Sequence, residues 1–172
     1  RGLGDVYKRQ RLSRGVVVKD LLVTNNIVED VNQYNFKDIE PFTLIIVEWI
    51  DELRFYELVW DGNKKYFKTL VNKPHIWSSS TLYNEKMKLE REKWFNDFKA
   101  NNNLNPYSMF NFHQQAGEGN KDYGVIMYRG FVKTTSITRI EMENGIVAMR
   151  YYDIDTNSHS SKSLSEAPLA HE

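Results

Sequence analysis

The sequence predicts an α+β fold built on antiparallel sheet. Helical and strand-like patterns come in blocks, in the order helices, strands, helices, strands, and not in the regular β-α-β alternation of a parallel nucleotide-binding sheet. Two joints between strand-like runs carry hairpin turn residues, Asp61-Gly62-Asn63 and Asn144-Gly145. The chain has 172 residues, 41% hydrophobic and 27% charged, enough for a domain with its own core.

Ser13 is placed to cap a first helix running to about Asn25, in which Val16, Val17, Leu21 and Leu22 are roughly helically spaced. Thr24-Asn25-Asn26 supplies a stop, and a second short helix follows over Ile27 to Tyr34. After Pro41, the run Phe42 to Ile50 is apolar on both alternate faces, which predicts a central strand covered on two sides. Leu53–Trp60 and Lys65–Leu70 flank the Asp-Gly turn, so three successive antiparallel strands are expected. Ile76 to Ser78 reads as a short strand end. Ser80 or Thr81 then caps a long helix to about Asn101, with Tyr83, Met87, Trp94 and Phe98 on one stripe and charges on the other faces. Pro106 opens a shorter helix to about Ala116, with Met109, Phe110 and His113 near one face. Strands are expected over Val132–Met142 and Ile146–Asp153. Residues 156–172 are rich in Ser and poor in large apolar side chains, and read as a disordered tail.

Composition narrows the function classes. With 23 basic and 23 acidic residues the formal charge is zero, which argues against a nucleic-acid partner. No cysteine is present, so neither a disulfide framework nor a thiolate metal site can form in this chain. That suits a reducing compartment, and the reading is cytoplasmic. The longest apolar run, Phe42 to Ile50, already contains Glu48, so no integral membrane segment is expected. The first ten residues, RGLGDVYKRQ, resemble a translated sequencing adapter and are set aside as an artefact. The segment that naturally precedes Arg11 is then expected to be missing.

The stretch His75-Ile76-Trp77-Ser78-Ser79-Ser80-Thr81-Leu82-Tyr83 is the most distinctive. Four consecutive hydroxyls between a strand end and a helix start can hold an anion or a developing oxyanion, although capping and turn formation are the commoner use of such residues. No Ser lies in a Gly-x-Ser-x-Gly elbow. Arg14 puts a guanidinium at the positive end of a helix dipole, where it either meets an anionic ligand or a buried carboxylate, or stays solvated. His75 and His113 are of a type that ligates metals or haem iron, but neither has a spaced partner, and no metal site is expected.

Taken in order, Leu12-Ser13-Arg14-Gly15, Pro41-Phe42-Thr43-Leu44, Glu57-Leu58-Val59-Trp60-Asp61-Gly62, Ile76-Trp77-Ser78-Ser79-Ser80-Thr81-Leu82-Tyr83, Phe112-His113 and Val132-Lys133-Thr134-Thr135-Ser136-Ile137-Thr138 resemble the NRDE family, which includes the transport and Golgi organisation 2 proteins. The resemblance spans Arg11 to about Asp153. It implies that residues 11–155 are the C-terminal part of a single domain, an incomplete αββα sandwich with antiparallel sheets similar to the N-terminal-nucleophile hydrolases. It also implies a Met-Cys start and an Asn-Arg-Asp-Glu motif, neither of which this sequence contains. Without a cysteine the chain is expected to be inactive as an enzyme.

The leading expectation is a non-enzymatic handler or trafficking factor for haem or another small amphipathic ligand. Arg14, Trp77, Ser78, Ser79 and His113 are the expected ligand contacts. The rival reading is an N-terminal-cysteine amide hydrolase or acyltransferase, with Ser79 placed roughly where related acylases carry an oxyanion-hole Asn. A third is a protein-interaction module in secretory traffic.

Overall fold

The computed structural model describes residues 13–49, 52–79 and 82–165. The chain divides into two units, Arg1–Pro74 and His75–Glu172.

In the first unit, the Ser13 hydroxyl accepts from the Gly15 N–H at 3.3 Å and starts helix α1, Arg14–Leu21. It stops short of the expected Asn25, with Leu22 closing the last turn. Asn26 caps α2, Ile27–Gln33, through the Glu29 N–H at 3.2 Å. Strands β1 (Phe42–Glu48), β2 (Arg54–Trp60) and β3 (Lys65–Leu70) form an antiparallel sheet in the order β1-β2-β3. The expected central strand is therefore an edge strand, and β2 is central. A strand needs two apolar faces to be covered on both sides, but two apolar faces do not require a neighbour on each edge. One face of the sheet packs on the helices: Leu58, fully buried, joins Val17, Leu21, Ile27, Val31, Phe36, Ile39 and Tyr56 in the core. Asp61 Oδ1 accepts from the Asn63 and Lys64 N–H groups at 2.8 and 2.7 Å, and Gly62 takes the left-handed conformation (φ 97°) that closes the turn.

Tyr34 follows α2 and donates its hydroxyl to Asp20 Oδ2 at 2.6 Å. Partial burial, and then this hydrogen bond and the Asp20 charge, push the phenol up to about 12. A folded pKa above the unfolded value stabilises fully below that unfolded value, and the contribution is lost as pH rises through the folded one. In an ultraviolet absorbance titration, Tyr34→Phe should remove one tyrosine ionising near pH 12. An unchanged late step would contradict the Asp20 contact.

In the second unit, Asn84 caps α3, Glu85–Asn101, by accepting from the Met87 N–H at 3.0 Å. The expected caps Ser80 and Thr81 lie outside the described residues. Tyr83 precedes the helix, and the buried helical aromatic is Phe95. No strand forms over Ile76–Ser78. Asn105 and Ser108 make a reciprocal capping box around Pro106 at the start of α4, Pro106–Gln115. The two helices meet where Phe112 contacts Phe95 and Phe98, with ring centroids 5.4 and 5.0 Å apart.

Strands β4 (Ser136–Glu143), β5 (Ile146–Asp153) and β6 (Ser158–Ser165) form a second antiparallel sheet in the order β4-β5-β6. Asn144 (φ 52°) and Gly145 (φ 74°) supply the two consecutive left-handed residues of a tight hairpin. β4 begins later than the expected Val132. Residues 156–172 are not wholly the unstructured tail that composition suggests, because Ser158–Ser165 pairs with β5 along its length. The Asp153 side chain accepts from the Thr156 N–H at 2.8 Å and Asn157 adopts φ 51°, which turns the chain back. The strand is exposed and held by backbone hydrogen bonds, so it left no apolar periodicity to read. Residues 166–172 lie outside the described residues. Among the described residues, no helix is long and apolar enough to cross a membrane.

Candidate functional site

Ser78 and Tyr83 both meet Arg91 of α3. Its Nε donates to Ser78 Oγ at 3.0 Å, and its Nη1 donates to the Tyr123 and Gly124 carbonyls at 2.7 and 3.2 Å. The guanidinium also lies 4.5 Å from the centre of the Tyr83 ring. Arg129 approaches that ring at 5.5 Å, with both its Nη atoms on the Leu82 carbonyl at 3.1 Å and its Nε on the Asp122 carbonyl at 2.6 Å. Two cations thus bind backbone oxygens around one aromatic ring. Burial works against the charge of Arg91 and lowers its pKa. Neither guanidinium has a carboxylate within ion-pair distance among the described residues.

Ser78 is half-buried and serves this clamp as an acceptor, which leaves its own O–H to donate. Ser79 is exposed, and its carbonyl accepts from the Tyr83 N–H at 3.2 Å. Trp77 is exposed and stacks on His75 with ring centroids 5.3 Å apart. Arg91 and Arg129 together place a local concentration of positive charge beside Ser78, Leu82 and Tyr83. Nothing in the 75–83 sequence announced Arg91, which comes thirteen residues after Ser78 within a run of helix-surface charges.

His113 lies elsewhere in the unit. Its Nδ1 is 2.8 Å from the Met109 carbonyl. A carbonyl only accepts, so Nδ1 carries a proton, and in the neutral imidazole Nε2 is then the nitrogen with the lone pair. The residue lines a cleft of about 370 Å³ between α4 and β4, whose apolar walls include Met109, Phe110, Ile137 and Ile140. A neighbouring cleft of about 290 Å³ continues over β5 and β6 and shares Phe110, Ile137 and Arg139 with the first.

The charged residues of this face were not singled out by the sequence. Glu141 Oε1 accepts from Arg150 Nε at 2.8 Å, and Glu141 Oε2 lies 3.2 Å from Arg139 Nε. The Arg139 Nε contact is ionic without hydrogen-bond alignment, since that nitrogen is buried and has no hydrogen-bond partner. Arg139 Nη1 donates to the Pro106 carbonyl at 3.0 Å, which ties β4 to the start of α4. The Arg150 hydrogen bond, followed by the charges of both arginines, holds the Glu141 carboxyl below the usual range against the opposing effect of burial. A signal for this pair did exist. The two-residue Asn144-Gly145 turn sets Glu143 opposite Ile146, and counting back along both strands sets Arg139 opposite Arg150.

Arg14 belongs to the first unit, at the start of α1. Its Nε lies 3.8 Å from Glu40 Oε2, with both side chains more than half exposed. Trp77, Ser78, Ser79 and His113 belong to the second unit. Within that unit His113 faces the α4–β4 cleft, whereas Ser78 is engaged by Arg91. No group of three or more potential ligands suited to a metal ion occurs among the described residues. Comparison of the chain with protein-family models, curated proteins and solved structures returned no significant match.

Proposed function

We propose that the chain is a non-enzymatic handler of a small amphipathic ligand, an NRDE-family protein similar to transport and Golgi organisation 2, with haem as the first candidate cargo. On this reading the two antiparallel sheets belong to an αββα sandwich. The observation that carries the proposal is His113. Its Nδ1–H is spent on the Met109 carbonyl, so in the neutral imidazole the lone pair lies on Nε2, on a residue that lines an apolar cleft. A neutral imidazole oriented by a backbone carbonyl is the usual form of an iron ligand. The apolar walls suit the flat face of such a ligand, and Arg139 supplies a cation beside them.

Titration of the full chain with haemin should shift the Soret band. His113→Ala should weaken binding and change the spectrum, because the imidazole that would hold the iron is lost. No Soret shift with the full chain removes haem as the cargo. A normal shift in the His113→Ala variant removes His113 from the site.

A further inference from the structure

We propose that the cleft selects a planar aromatic monoanion, an aryl carboxylate, and that Arg150 reads its acid group. This rests on the reading above that the α4–sheet cleft is the ligand site.

The charge balance of the sheet face leads there. Arg139 of β4 stands directly opposite Arg150 of β5. Like charges at opposed cross-strand positions are destabilising unless something neutralises them. Glu141 is the carboxylate paired with both arginines, and it meets each through Nε: Arg150 at 2.8 Å and Arg139 at 3.2 Å. Two guanidiniums on one carboxylate leave an excess of one positive charge. Arg139 has further donors on the Pro106 carbonyl and on Glu141. Arg150 hydrogen-bonds only through Nε among the described residues, and its side chain is 53% exposed. Its two Nη groups form the fork that matches a carboxylate bidentately.

The surroundings of that charge are aromatic. Ile137 stands opposite Tyr152, and Tyr152 opposite His159. Phe110 of α4 meets the Tyr152 ring edge-on, at 88° and 5.7 Å between centroids. The Tyr152 hydroxyl is already spent on Asn157 Oδ1 at 2.6 Å, so the ring is what Tyr152 offers to a ligand. The cleft measures about 290 Å³ on this side, which suits one small ring system. A ring between these walls, with one carboxylate toward Arg150, fills the apolar space and cancels the excess charge together.

The test uses the full chain with 2-naphthoate and its neutral isostere 2-naphthamide, followed by calorimetry or ligand-observed NMR. Naphthoate should bind about tenfold more tightly than the amide, as one charge-assisted bidentate contact allows. Arg150→Gln should abolish the difference in affinity between naphthoate and the amide. Glu141→Gln should tighten naphthoate binding, an increase that loss of folding cannot mimic. Equal affinities for the two probes, or a ratio unaltered by Arg150→Gln, would overturn the anion-selection inference while leaving amphipathic ligand handling standing. Naphthoate selectivity without a haemin Soret shift would keep the inference and dismiss haem. Binding of neither probe would overturn the inference, and a haemin Soret shift in the same protein would leave amphipathic ligand handling standing.

Discussion

Gly117→Ala is expected to destabilise the His75–Glu172 unit by about 3 kcal/mol or more, from strain and overpacking combined. Gly117 has φ +69°, a left-handed conformation that costs an L side chain about 1–2 kcal/mol. A Cβ there would also lie 2.5 Å from Trp94 Cζ3 and 3.0 Å from the Gly124 Cα. The ring has little freedom to yield. Trp94 stacks on Tyr123 with planes 2° apart, and the Tyr123 hydroxyl is tied to Glu90 Oε2 at 2.9 Å. Gly119→Ala is the control, because Gly119 is also left-handed (φ +81°) but its added Cβ would meet nothing within 4 Å. Urea unfolding followed by tryptophan fluorescence should place the Gly117 variant well below the Gly119 variant. Equal midpoints would show that the Trp94 contact does not resist.

Arg91→Ala should cost about 2–4 kcal/mol, since it strips donors from partly buried acceptors and removes a packed aliphatic stem. The Ser78 hydroxyl and the Tyr123 and Gly124 carbonyls all lose their Arg91 donor, and Tyr83 loses its nearer stacked cation. Arg91→Lys should recover less than half of the loss, because an ammonium cannot span Ser78 and the 123–124 carbonyls with a planar fork. Hydrogen exchange should report the same change locally, with faster exchange at the Tyr83 N–H, which depends on the Ser79 carbonyl staying in place. A variant with wild-type stability and unchanged Tyr83 exchange would reduce Arg91 to a surface charge.

What could be read in advance follows from how local each signal is. Ser13 and Asp61-Gly62 act on neighbours within three residues, so the first cap and the first hairpin follow from residue type. Asn144-Gly145 did the same for the β4–β5 hairpin. β6 was illegible because its side chains over Ser158–Leu164 are exposed and mostly polar, and its pairing with β5 runs through the backbone, to which serine side chains are indifferent. The long helix began at Asn84 and not at Ser80 or Thr81, because any of several polar residues can cap and only the folded chain chooses among them. The candidate site divides in the same way. His113 was visible as a residue type near one helix face, whereas the Ser78–Arg91 contact joins residues thirteen apart and the Arg139–Arg150 pair depends on strand register. The predicted ligand set of Arg14, Trp77, Ser78, Ser79 and His113 grouped residues by chemical type, which carries no information about which cleft each one lines.

Both sheets are simple meanders, in which every strand pairs with the strand next to it in sequence. The joints are short, so the loops that must close before pairing begins are among the cheapest a sheet can have. Contact order is correspondingly low for a structure with this much sheet, and low contact order goes with fast assembly. Each hairpin can zip outward from its own turn without waiting for a distant partner, and the slower events fall to side chains such as Arg91 that must find carbonyls more than thirty residues away.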